Sequence, residues 1–224
     1  MSKTIIHHHL GLGDHIICNG LINYLSKNEK IYLICKKKYF KNLKYLYSEN
    51  KNVELLPLAK FMYKSTKIEK RYSSLYAYLL FTRIKYLGFE QKDGDYFDEL
   101  FYKHANINFK KRYEYFHVPE DLNNMIPIPD MEYQLIHNEA SIKSYELKLT
   151  SNNLKQIYVN ENLGKNIFSY INLIKNAKEI HCIDSAFIHL VDSYNLDNNL
   201  FFHDVRKDKY KFNLKNNWKV IKYN

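Results

Sequence analysis

The chain has 224 residues and a mass of 27.0 kDa, enough for one large domain or two small ones, each with a real core. No run approaches the roughly 20 apolar residues of a membrane helix, and Lys3 is not followed by a continuous apolar signal region, so a soluble, cytoplasmic protein is expected. The formal charge is +10, and Cys18, Cys35 and Cys182 are too few and too scattered for a disulfide framework or a zinc ribbon; they read as buried, reduced thiols.

The elements follow in chain order. A strand-like run, Thr4 to Leu10, leads into Gly11–Gly20, a segment holding three of the chain's six glycines. Glycine is kept where a turn needs positive φ or where a ligand lies against the main chain. The helical spacing Ile16, Ile17, Gly20, Leu21, Tyr24, Leu25 then completes a βα unit. A strand at Ile31–Cys35, a helix from Tyr39 to Tyr47 and a strand at Val53–Leu56 continue the alternation, which implies a parallel sheet. Residues 72–87 read as an apolar helix, and Tyr96–His104 as another. Pro127-Ile128-Pro129 marks the expected domain boundary, giving domains 1–127 and 128–224. The second series reads strand Tyr133–His137, strand Gln156–Val159, helix Ile167–Ala177, strand Glu179–Ile183, helix Ser185–Tyr194 and strand Leu200–His203.

Charge is unevenly placed along this series. Residues 30–85 carry fourteen Lys or Arg against Glu49, Glu54 and Glu69, a balance that favours contact with an anionic surface. All but four of the 34 basic residues are Lys, as an AT-rich coding sequence would produce. Arg71, Arg83, Arg112 and Arg206 escape that bias and are the better candidates for specific anion contacts.

Two constellations could carry chemistry. The glycine turn fails as a dinucleotide fingerprint, because Ile16 stands where the third glycine belongs and Lys36-Lys37-Lys38 follow the second strand in place of an acidic residue. What remains is Asp14 near a helix start, which suits either a proton acceptor or a helix cap. In the second half, Asp184-Ser185-Ala186 ends a buried strand and opens a helix, whose first amides and Ser185 hydroxyl could bind a diphosphate. His189, one turn on, could add a proton or charge to the same ligand. The bland reading there is a capping serine beside a half-buried histidine. His7 and His9 share one face of a strand and His8 the other, so this run alone cannot form a three-histidine zinc site. Two of these imidazoles are expected in the core, and His9, nearest the turn, could reach the cleft.

The turn Gly11-Leu12-Gly13-Asp14, taken together with Asp184-Ser185-Ala186-x-x-His189-Leu190, resembles the paired signatures of GT-B glycosyltransferases of the heptosyltransferase type, glycosyltransferase family 9. The resemblance implies an α/β fold of two Rossmann-like doubly wound halves facing a cleft, with the acceptor on 1–127 and a nucleotide-sugar donor on 128–224. It implies that Asp14 is the general base of an inverting transfer. Gly13, Asp184, Ser185, Ala186, His189 and Arg206 would lie along the donor diphosphate, with His9, Gly11, Asn138 and Glu139 as further candidates. The loop at 138–143 lacks the basic and hydroxyl pattern expected at that place. No metal and no cofactor beyond the nucleotide sugar is implied, and the acceptor would be a glycan, glycolipid or other hydroxyl compound. The rival readings are an inactive nucleotide- or glycan-binding module and a basic nucleic-acid-binding protein with aromatics beside Lys36-Lys37-Lys38. No single-strand-binding motif is present, so no specific nucleic acid is expected.

Overall fold

The computed structural model describes residues 1–90, 95–140, 143–150, 153–160, 166–206 and 211–223. The chain forms two compact units, one of Met1–Pro119 with Tyr210–Asn213, the other of Glu120–Lys209 with Leu214–Asn224. The change of unit thus falls ahead of Pro127-Ile128-Pro129. Residues 120–126 already pack with the second unit, where Lys175 pairs with Glu120 at 2.6 Å and the Ile126 amide donates to the Ser169 carbonyl at 2.9 Å.

The first unit is a parallel sheet of β1 (Ser2–His7), β2 (Glu29–Lys36), β3 (Val53–Leu58) and β4 (Arg83–Tyr86) in the order β3-β2-β1-β4. Ile5, Ile6 and Ile31–Cys35 are buried on both faces, which is why these segments read as near-continuous apolar runs. Pro57 lies in the edge strand β3, where a missing N–H costs no ladder bond. The expected helix after Gly11 is present as α1 (Leu12–Ile17) and α2 (Asn19–Leu25), joined at Cys18. Gly20 serves packing: a Cβ there would meet the backbone carbonyls of Lys111 and Arg112, both in the short helical turn α6 (Lys111–Glu114).

The helix expected at 72–87 is corrected. It is α4, Thr66–Leu79, started by Ser65, whose hydroxyl accepts the Ile68 amide at 3.4 Å. The chain then turns through Phe81, at φ 47°, into β4, which pairs with β1. A four-residue strand is too short to show a period, and its extended state comes from the partner strand. Between β2 and β3 lies α3 (Phe40–Leu46), and α5 (Phe97–Ala105) closes on left-handed Asn106.

The second unit is a parallel sheet of β5 (Tyr133–His137), β6 (Lys155–Tyr158), β7 (Glu179–Ile183), β8 (Asn199–Asp204) and β9 (Trp218–Lys222), in the order β6-β5-β7-β8-β9. The helices α7 (Ile171–Asn176) and α8 (Ala186–Asp192) are interleaved with these strands, and Ile167–Tyr170 is a 3-10 turn rather than part of α7. Strand β9 has no counterpart in the sequence reading. Buried Asp192 anchors it, accepting from the Lys215 and Asn216 amides and the Trp218 indole at 3.0 Å each. All three cysteines are buried free thiols, as expected. Among the described residues no helix is long and apolar enough to cross a membrane.

Candidate functional site

In each sheet the strand order reverses direction at one place, and the carboxyl ends of the strands on either side of that place frame a crevice suited to ligands. In the first unit this place is between β1 and β4. The chain leaves β1 through His9, Leu10 and Gly11 into α1, so Asp14 stands in the first turn of that helix, partly exposed. Its Oδ2 accepts the Gly11 amide at 2.9 Å. Gly11 has φ −75°, so positive φ is not its purpose. A Cβ at Gly11 would lie 2.6 Å from Asp14 Oδ2, and glycine is what lets the carboxylate fold back over the turn. Gly13 lies between them on α1, also partly exposed. Among the described residues, the glycine at positive φ is Gly88, at 82°, on the other side of the reversal.

His9 joins the two strand ends. Its Nε2 lies 2.8 Å from the Gly88 carbonyl, and its ring packs on Phe89 and Phe97. His7 and His8 are fully buried, in line with the expectation of two imidazoles in the core. His7 Nδ1 lies 2.8 Å from Ser73 Oγ, and His8 Nδ1 bonds the His9 carbonyl. Lys70 lies over the Phe89 ring at 4.5 Å, beside the same strand end.

In the second unit the reversal lies between β5 and β7. Strand β7 delivers Asp184 and Ser185 to its carboxyl end, and Ser185 caps α8 by accepting the Phe187 amide at 3.2 Å. Strand β5 delivers His137, whose Nδ1 lies 3.2 Å from Ser185 Oγ. Arg206, two residues beyond β8, reaches back so that its Nη1 donates to the Asp184 carbonyl at 2.8 Å and lies 3.9 Å from the Asp184 carboxylate. Three strand ends therefore gather His137, Asp184, Ser185, Ala186 and Arg206. Burial lowers the His137 imidazole to about 4, so at neutral pH it is an uncharged partner of the Ser185 hydroxyl. Among the described residues, the fixed positive charge gathered at these strand ends is Arg206. His137 is the residue that the sequence reading missed; nothing in its strand marks it, and only pairing of β5 with β7 sets it beside Ser185.

The other expected residues adjoin this group in the chain. His189, one turn beyond Ser185, is only 4% exposed in the core of its unit. Asn138 holds its own loop, donating from Nδ2 to the Tyr145 carbonyl at 2.8 Å, and exposed Glu139 forms a bridge with Ser144. Ser141 and Ile142 of that loop lie outside the described residues. Of the four arginines that were candidates for anion contacts, two are engaged inside the protein: Arg112 is wholly buried against Asp98, and Arg83 is tied to Glu29 at 2.8 Å. In the Lys36-Lys37-Lys38 run, Lys36 lies over Tyr63 at 5.3 Å and Lys38 over Tyr39 at 4.6 Å.

These buried imidazoles set a pH dependence. His137 and His203 are both held at about 4, chiefly by burial, against an ordinary value of 6.5. As pH falls the unfolded chain therefore takes up protons first. Stability is fully present above the ordinary histidine value and is lost as pH drops through the window from 6.5 toward 4. The urea midpoint at about pH 5 should fall clearly below that at about pH 7.5. A midpoint unchanged between the two would show that these rings titrate normally in the folded protein.

No protein-family profile and no curated protein sequence matches the chain. Solved structures do. The glycosyl transferase family 9 structure from Veillonella parvula DSM 2008 aligns with a TM-score of 0.60 at 10% identity, covering 99% of this chain and 86% of that one. This chain has the GT-B glycosyltransferase fold. Escherichia coli ADP-heptose lps heptosyltransferase II aligns at 0.59 and 11% identity, over 99% and 90% of the two chains. E. coli heptosyltransferase WaaC with ADP aligns at 0.52 and 12%, over 99% and 91%. In GT-B terms, Asp14 belongs to the amino-terminal sheet and the His137–Ser185–Arg206 group to the carboxyl-terminal one.

Proposed function

We propose that the protein is a glycosyltransferase that moves a sugar from a nucleotide-diphosphate donor to a hydroxyl of a glycan, glycolipid or other acceptor. The observation that carries this reading is that, within a GT-B fold, each of the two sequence signatures falls at the strand-order reversal of its own sheet. Asp14 takes the proton from the acceptor hydroxyl, which then attacks the anomeric carbon as the bond to the diphosphate breaks. Attack opposite the leaving group inverts the configuration there. Charge grows on the departing diphosphate, and the Arg206 guanidinium with the Ser185 hydroxyl and the Ala186 amide meets it. His137 holds the Ser185 hydroxyl in place. Because the solved neighbours include heptosyltransferase WaaC with ADP and an ADP-heptose lps heptosyltransferase, ADP-linked sugars are the first donors to try.

The test is turnover with a panel of ADP-, UDP- and GDP-sugars, with release of the nucleoside diphosphate as the readout. One donor should react, and Arg206→Ala should lower its kcat/KM about tenfold to a hundredfold, the weight of a hydrogen bond to a charged group. A donor that binds in calorimetry but never turns over with any acceptor would favour the inactive binding module. Neither binding nor turnover with any donor would end the reading.

A further inference from the structure

The end of α4 is built to be exposed rather than buried. Its inner face, Glu69, Ser73 and Ala77, packs inward, while Leu75, Tyr78, Leu79 and Phe81 are 49, 73, 58 and 92% exposed. The helix closes in a Schellman pattern: the Thr82 amide donates to the Ala77 carbonyl at 3.0 Å and the Phe81 amide to the Tyr78 carbonyl at 3.2 Å. That pattern places Phe81 at the left-handed position, φ 47°, where glycine is the usual residue. A phenylalanine there gains no burial inside the protein and holds its ring outward. Its ring lies 6.4 Å from that of Tyr78.

The surroundings are cationic. From Lys60 to Arg71 the chain carries Lys60, Lys64, Lys67, Lys70 and Arg71 against one acid, Glu69, which is buried and faces His7 at 3.9 Å. Lys67 and Arg71 are exposed on the helical stripe that continues through Leu75 to Tyr78. Lys3 is nearby, since Thr82 Oγ1 donates to its carbonyl at 2.6 Å.

We propose that this end of α4 is a docking surface for an anionic phospholipid bilayer, with Phe81, Tyr78, Leu79 and Leu75 entering the headgroup boundary and Lys67, Arg71 and their neighbours meeting the lipid phosphates. Apolar side chains at one end of a stripe and unopposed cations at the other are the pattern of an interfacial helix; a protein partner would be expected to bury the aromatics in a shaped groove. The inference does not depend on the sugar-transfer reading.

Flotation of the full chain with phosphatidylcholine vesicles, and with vesicles containing phosphatidylglycerol, tests it. Binding should require phosphatidylglycerol and weaken as salt is raised. Phe81→Gly suits the left-handed position better than phenylalanine, so it should keep or raise the melting temperature while lowering vesicle binding about tenfold. Lys67→Gln with Arg71→Gln should lower binding about tenfold or more. No binding to phosphatidylglycerol vesicles at low salt would overturn the proposal, as would binding that Phe81→Gly leaves unchanged. So would a dimer in the absence of lipid that Phe81→Gly abolishes, since a second copy would then be the occupant.

Discussion

Asp14→Asn should lower turnover about a hundredfold to ten-thousandfold with the donor that the wild-type protein uses, while leaving the fold and donor binding in place. The substitution separates the two tasks of this side chain. As a cap, Asp14 offers an oxygen to the Gly11 amide at 2.9 Å, and the carbonyl oxygen of asparagine accepts the same bond. As a base it must take a proton, and a carboxamide cannot do so at any pH near neutrality. The loss belongs in kcat, since the acceptor hydroxyl still binds while its proton has no place to go. Full activity in Asp14→Asn, with an unchanged melting temperature, would make this residue a cap and nothing more. Gly11→Ala makes a useful companion: its Cβ would crowd Asp14 Oδ2 at 2.6 Å, so the carboxylate must move without losing its chemistry.

The second large effect is on stability. Asp98 on α5 and Arg112 on α6 are both wholly inaccessible and bonded to each other. Asp98 also accepts the Asn213 amide, at 3.1 and 3.2 Å to its two oxygens, which ties the returning segment at 211–213 to the first unit. Burial pushes the Asp98 carboxyl up, and the Arg112 charge and the Asn213 amide pull it down. Asp98→Ala would leave the guanidinium charge buried without its carboxylate, at a cost of about 3–5 kcal/mol. That is a large share of the stability of an ordinary domain. Replacing both partners with apolar residues of similar volume should recover most of the loss, because neither charge then has to be desolvated. Chemical denaturation of the single and double variants decides the matter. A loss under about 1 kcal/mol for Asp98→Ala would mean that the pair behaves like a solvent-screened surface ion pair.

Much of this architecture was legible in the residues. Buried parallel strands must be apolar on both faces, so Ile31–Cys35 and Glu179–Ile183 announce themselves, and the latter matches β7 at both ends. The Gly-Asp turn and the Asp-Ser helix start were visible because each is local chemistry: a glycine that admits a carboxylate, and a serine that caps a helix two residues on. Where a residue's state depends on a distant partner, the reading ran out. Strand β4 was absorbed into a helix because its extended form comes from pairing with β1, and β9 was missed because Asp192 holds it from another element. Nothing local distinguishes Arg112 from a surface arginine; its partner Asp98 lies on another helix, and the fold seals the pair inside.

By itself, then, the sequence determined two alternating α/β halves with a candidate carboxylate in one and a candidate hydroxyl in the other, since period, turn chemistry and capping act over a few residues. Only the tertiary structure decided that His137 and Arg206 come to Ser185, that Gly20 exists for helix packing, and that Phe81 points outward, because each depends on which strand ends and helix faces the folded chain brings together.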